Sequence, residues 1–146
     1  MKFTTKVLAI GLTMFAGIAL AEGDATDPLV IAQKDLMKSF GGAAKTLGGM
    51  ASGEVAFDAA AAAAAKEVLI AGSADIAVKF ATAGVDAASE SSPTIWTSWD
   101  AFLVKAGDLN TAATTLDVAS AESIGAGMGA VGGACKACHT EYRVKK

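Results

Sequence analysis

Two thiols and one imidazole lie within five consecutive residues near the end of this 146-residue chain, Cys135-Lys136-Ala137-Cys138-His139, with seven residues following. One helical turn separates the cysteines, so on a helix both sulfurs face the same side and the imidazole follows directly. This is the C-x-x-C-H spacing by which c-type haem is attached: two thiols add to the two vinyl groups, and the histidine gives the iron an axial nitrogen. His139 is the only histidine, so any second protein ligand must be of another type. Other chemistries lack parts. Zinc would need a fourth ligand, and no further cysteine or histidine exists to give one. A thioredoxin-like pair would need βαβ surroundings, and none is visible. A structural disulfide is the remaining alternative.

The N-terminus agrees with the haem reading. Lys2 and Lys6 form a basic region, Val7 to Ala19 is apolar, and Ala19-Leu20-Ala21 fits a small-x-small cleavage site. The pattern predicts a secretory signal peptide over 1–21 and a mature domain over 22–146, the alternative being an uncleaved anchor. Bacterial c-type haem is attached outside the cytoplasm, so export and the pentapeptide point the same way and predict a periplasmic protein. Removing Lys2 and Lys6 leaves 10 basic and 15 acidic side chains, a formal charge of −5. That argues against a nucleic-acid partner. Nothing in the mature chain calls for stable membrane insertion, and with both cysteines inside the pentapeptide no disulfide framework is left.

The elements that must position these groups read as helices. The chain has only two prolines, Pro28 and Pro93. Apolar residues recur by threes and fours, not by twos. A first helix carries Leu29, Gln33, Leu36, Phe40, Ala43, Leu47 and Met50, with Asp27 as N-cap and Pro28 at its first position. A second starts at Asp58 and runs through an alanine tract to about Phe80. A third, opened by Ser92-Pro93, has an unbroken stripe of Ile95, Trp99, Phe102, Ala106, Leu109, Ala113 and Leu116. The last carries Ile124, Met128, Val131, Cys135, Cys138 and Tyr142, which puts both cysteines on its buried side. Breaks are expected from Gly48-Gly49 to Val55, from Ala83 to Ser92, and near Ala119 to Ala121. The fold class predicted is all-α, an antiparallel four-helix bundle with covalent haem by the C-terminal helix.

Gly125, Gly127, Gly129, Gly132 and Gly133 crowd that last helix. Each costs about 1 kcal/mol relative to alanine, so the run needs an offsetting gain. A flat macrocycle pressed against the backbone would supply one; close approach of a neighbouring helix is the other explanation.

Cys135-Lys136-Ala137-Cys138-His139-Thr140-Glu141-Tyr142-Arg143 on a C-terminal helix resembles the class II cytochromes c, the family of cytochrome c′ and cytochrome c-556. Gln33-Lys34-Asp35-Leu36-Met37-Lys38, Gly53-Glu54-Val55-Ala56-Phe57-Asp58 and Ser91-Ser92-Pro93-Thr94-Ile95-Trp96 are similar too, so the resemblance spans the mature chain. Class I cytochromes c carry the motif early with a ligand methionine after it; here no methionine follows His139. The resemblance implies one covalent haem c, His139 as proximal ligand, and a distal position on the first helix where Met37 falls. Cytochromes c′ are five-coordinate with an apolar distal residue, whereas c-556 members have a methionine ligand. Met37 is thus read as an iron ligand or as a core methionine. Met50 and Met128 read as core.

Gln33 lies one turn before Met37, where cytochromes c′ often carry an arginine near a haem propionate. It is a candidate haem contact or an ordinary boundary glutamine. Arg143, four residues after His139, is a candidate proximal contact or a helix C-terminal cation. Lys136, Arg143, Lys145 and Lys146 cluster at this end. They read as dipole complement plus solvated tail, or as a docking patch for a redox partner whose identity the sequence does not give. Trp96, Trp99, Phe102 and Phe40 read as core or pocket wall. The resemblance also allows a homodimer.

The functional expectation is a non-enzymatic periplasmic electron carrier. The alternative is a five-coordinate cytochrome c′ that binds or detoxifies nitric oxide and other small gases. A peroxidase would need a distal acid–base group, and no second histidine and no acid lies on the Gln33–Met37–Phe40 face.

Overall fold

A computed structural model describes residues 24–144. The expected signal peptide over 1–21, and Lys145 and Lys146, lie outside the described residues. Five helices follow in order: α1 Pro28–Ala51, α2 Ala59–Lys79, α3 Thr94–Thr97, α4 Trp99–Thr115 and α5 Ala121–Tyr142. The four long ones close a ring. α1 touches α2 and α5, and α4 touches the same two. Short connections between α1 and α2 and between α4 and α5 suit antiparallel neighbours, and the whole is a four-helix bundle.

The helix starts follow local chemistry. Asp27 accepts from Leu29 N at 2.7 Å and Asp58 from Ala61 N at 2.9 Å, each satisfying a donor that the first turn leaves free. Ser120 and Ser123 form a reciprocal capping box that opens α5. Two boundaries differ from expectation. α1 runs on through Gly48-Gly49 to Ala51 before turning at Gly53, which alone among the described residues has a positive φ, 75°. The expected third helix is split: Ser98, at φ −132° and ψ 45°, separates the single turn α3 from α4. Its inward stripe survives the split, with Ile95, Phe102, Ala106, Leu109, Ala113 and Leu116 all buried. The separate turn lets Trp96 aim its indole Nε1 at Phe80 O, 2.8 Å away, while Ile95 stays in the core.

The alanine tract of α2 has a face after all. Ala62, Ala65, Leu69, Ser73 and Ile76 are buried, and small residues there let α1 and α4 approach. At Gly72 a β-carbon would stand 2.3 Å from Phe40 Cε1, so only glycine leaves room for that ring. At the C-terminal end of α2, Phe102 packs against Phe80, Trp99 and Tyr142, with ring centroids 5.5, 5.5 and 5.2 Å away. This aromatic cluster forms the floor on which the candidate site rests.

Candidate haem site

A cavity of about 400 Å³ opens between α1, the end of α2, the loop before α3, and α5. Residues three and four apart on α1 share a face, and this spacing delivers Val30, Gln33, Lys34, Met37 and Lys38 to one wall. Cys138, His139, Tyr142 and Arg143 enter from α5. Ile76, Phe80, Ile95 and Phe102 supply apolar floor, and Ser89, Glu90 and Ser91 form the rim. Of the six residues singled out in the sequence, Met37, Gln33, Cys138, His139 and Arg143 thus meet around one space. Cys135 lies one turn before Cys138, half-buried and packed against the core, but outside the cavity lining.

Both cysteines are free thiols. Burial raises the Cys135 thiol, and burial, with Cys135 and Glu141 nearby, pushes Cys138 up to about 11. Both thiols are therefore protonated at pH 7 in the free protein. His139 is exposed on its outer side and lines the cavity on the other. Burial lowers its imidazole pKa, and the Arg143 charge lowers it further against an opposing push from Glu90. The neutral ring keeps a nitrogen lone pair available to a metal. Met37 is half-buried against the core and presents a thioether to the same cavity. Two thiols and an imidazole on one helix beside an apolar wall suit a covalently held haem, and a thioether faces the same cavity from α1.

Gln33 is not a boundary residue. It is 3% exposed. Its amide Nε2 donates to Lys79 O at 3.2 Å and Thr82 O at 3.4 Å, and its Oε1 accepts from Ser91 Oγ at 3.1 Å. All three partners belong to the end of α2 and the loop behind it. The glutamine therefore clasps that loop to α1 while lining the cavity.

The loop between Ala83 and Ser92 was expected, but its contacts were not. Asp86 accepts from Thr26 N, Thr26 Oγ1, Asp27 N and Ala88 N at 2.7–3.1 Å. Asp27 returns the contact by accepting from Val85 N at 2.7 Å. These bonds tie the entry of α1 to residues 85–88, and hence the rim of the cavity to the bundle. Acidic residues within a stretch rich in Ser, Gly and Asp signal a turn, but not which distant amides they bind. Arg143 likewise has a partner that spacing did not suggest: it pairs with Glu90, Nε to Oε2 at 2.6 Å. Lys136 is exposed on α5.

The glycines of α5 differ in their surroundings, and a β-carbon at Gly125 would meet only Ala51 Cβ, at an ordinary 3.7 Å. A β-carbon at Gly127 would stand 2.5 Å from Leu116 Cδ1, so close approach of the chain before α5 explains that one. At Gly129, Gly132 and Gly133 a β-carbon would meet nothing within 4 Å.

Comparison with known proteins agrees with this geometry. The family model described as cytochrome C′ matches residues 29–143. Cytochrome c-556 of Agrobacterium tumefaciens (strain apple 185) is 38% identical over 121 residues, covering 76% of this chain and 90% of that protein. Among solved structures, oxidized cytochrome c556 of R. palustris is 29% identical, with a TM-score of 0.73 over 82% of this chain and 98% of that one. Cytochrome c′ from Rhodobacter Spheriodes is also 29% identical, with a TM-score of 0.71 over 81% and 96%. The chain belongs to the cytochrome c′ family, the class II c-type cytochromes: four-helix haem proteins with covalent haem c that serve as electron carriers or gas binders.

Proposed function

We propose that the chain is a periplasmic electron carrier, with His139 as proximal and Met37 as distal ligand to the haem iron. The observation that carries this reading is the meeting of Met37 and His139 on one cavity, from α1 and α5. When bound, the haem supplies a one-electron ferrous/ferric couple. Cys135 and Cys138 hold it through thioethers, and His139 offers its neutral imidazole from the same helix. Met37 offers a soft sulfur from the facing helix, a donor that favours low-spin iron. Val30, Ile76, Phe80, Ile95 and Phe102 exclude water from the inner wall. A six-coordinate site changes shape little on electron transfer, which suits outer-sphere exchange.

Optical and EPR spectra of the ferric protein test the ligand pair. Low-spin iron with a weak sulfur-to-iron band in the near infrared is expected, with slow carbon monoxide binding by the ferrous form. Met37→Leu conserves volume and costs less than about 1.5 kcal/mol in a typical core, yet should turn the iron high-spin and open it to gases. A wild type already high-spin, with a spectrum unmoved by the substitution, refutes the carrier assignment and leaves gas binding as the function. Export is tested separately by Edman sequencing of the periplasmic fraction, where a mature N-terminus far from Glu22 would count against the signal peptide.

A further inference from the structure

The end of α5 is stitched to the loop before α3, and one acid–base pair closes the seam. Ser91 and Arg143 form an isolated antiparallel bridge. Ser92 N donates to Tyr142 O at 2.9 Å, and Val144 N donates to Glu90 O at 2.8 Å. In that register the Arg143 guanidinium donates through Nε to Glu90 Oε2 at 2.6 Å, and a second guanidinium nitrogen approaches the same oxygen. Exposed ion pairs are ordinarily weak because two long side chains must be held in water. Here both backbones are already fixed by the seam, and charge-assisted bonds of this kind are the strong ones.

The pair stands beside the candidate ligand. Arg143 is one helical turn beyond His139, and its N–H donates to His139 O at 3.3 Å. Glu90, His139 and Arg143 all line the cavity. The other cations of the lining are differently engaged: Lys38 pairs with Asp35, and Lys34 donates to Ala88 O. Neither depends on Glu90.

We propose that Glu90 is a positioning residue: it fixes the Arg143 guanidinium next to His139 and offsets its charge there, so that the two together set the electrostatic surroundings of the iron ligand. The proposal rests on His139 being the proximal ligand. A lone cation close to the iron disfavours the ferric state and raises the midpoint potential; a lone anion does the reverse. A held pair nearly cancels.

The test uses the mature, haem-loaded protein and compares wild type with Glu90→Gln, Arg143→Gln, the double variant and Glu90→Ala. Midpoint potentials come from spectroelectrochemical titration, and paramagnetic NMR follows the signals of the iron-bound imidazole. Glu90→Gln keeps an acceptor oxygen for the guanidinium but loses the charge, so the potential should rise. Arg143→Gln should lower it. The double variant should return close to wild type. Glu90→Ala frees the guanidinium to move into solvent, so its upward shift should be clearly smaller than that of Glu90→Gln. A seam that merely supports the fold would move both single variants in the same direction. That result, or equal shifts for Glu90→Gln and Glu90→Ala, with imidazole signals intact, overturns the positioning role alone. A wild type with no iron-bound imidazole signals overturns the ligand reading and the positioning role with it.

Discussion

Replacing Gln33 by leucine should loosen the loop over the cavity while leaving the bundle core filled. The side chain is 3% exposed and makes three hydrogen bonds of 3.1–3.4 Å to Lys79 O, Thr82 O and Ser91 Oγ. Leucine has similar bulk, so no large cavity opens, but two carbonyls and one hydroxyl lose their partner. Long neutral bonds sit at the low end of the usual range, and three of them amount to about 1.5–2.5 kcal/mol. For a domain of this size that corresponds to a fall in Tm of roughly 5–10 °C. The assay is thermal unfolding of the haem-loaded protein by far-UV circular dichroism, paired with amide hydrogen exchange. Exchange should accelerate in the loop over residues 81–93 and stay unchanged in α4, because the lost partners all lie at or beyond the end of α2. Gln33→Glu should be worse at neutral pH, since a carboxylate would face two carbonyl oxygens. An unchanged melt together with unchanged loop exchange for Gln33→Leu would refute the clasp.

Other expectations follow from the same structure. The Asp86 carboxyl is held far below the usual carboxylate range by N–H groups of Asp27, Ala88 and Thr26, and that of Asp27 is lowered by Val85 and Leu29 N–H groups. A depressed folded value stabilises the native state above the unfolded value of about 3.9, and the benefit drains away as pH falls below it. Asp86→Asn should therefore lower Tm at neutral pH and flatten the acid limb of the Tm–pH curve; an acid limb parallel to wild type would show that the carboxylate is not the source. Gly127→Val would force side-chain atoms onto Leu116, which is 2% exposed, and should destabilise by about 1–3 kcal/mol in denaturant titrations. Gly133→Ala meets open space and should stabilise α5 by up to about 1 kcal/mol in the same titrations; a loss there would mean that the position is occupied in the loaded protein.

What could be read in advance was whatever depends on neighbours in sequence. Asp27 and Asp58 begin helices because an oxygen reaches an amide two or three residues on. The stripe from Ile95 to Leu116 was visible because its members turn toward the core, Trp99 half-buried and the others buried. The break at Ser98 was not, because the residues on both sides of it still point to the core, and spacing records direction, not continuity. The glycine pair at 48–49 misled in the opposite sense: glycine lowers helix propensity, but Gly49 and Met50 are buried and tertiary packing carries α1 past them. Pairings such as Gln33 with Thr82 and Arg143 with Glu90 join residues 49 and 53 positions apart. No periodic rule reaches that far.

The cavity itself explains why haem binding and folding belong to one argument. On most of α1 the inward residues meet protein: Phe40 fits over Gly72, and Ala43, Leu47 and Met50 are buried in the common core. At its first three turns the same face instead presents Val30, Gln33 and Met37 to an open space of about 400 Å³. Side chains lining a void forfeit dispersion contacts on that side. A bundle built only to be stable would fill that end with leucine. This one keeps the space, clasps a loop across its mouth with Gln33, Asp86 and Glu90, and sets two thiols and an imidazole on the helix beside it. The packing deficit lies where the chemistry lies, so loss of the thioether anchors at Cys135 and Cys138 removes a structural element and a redox centre together.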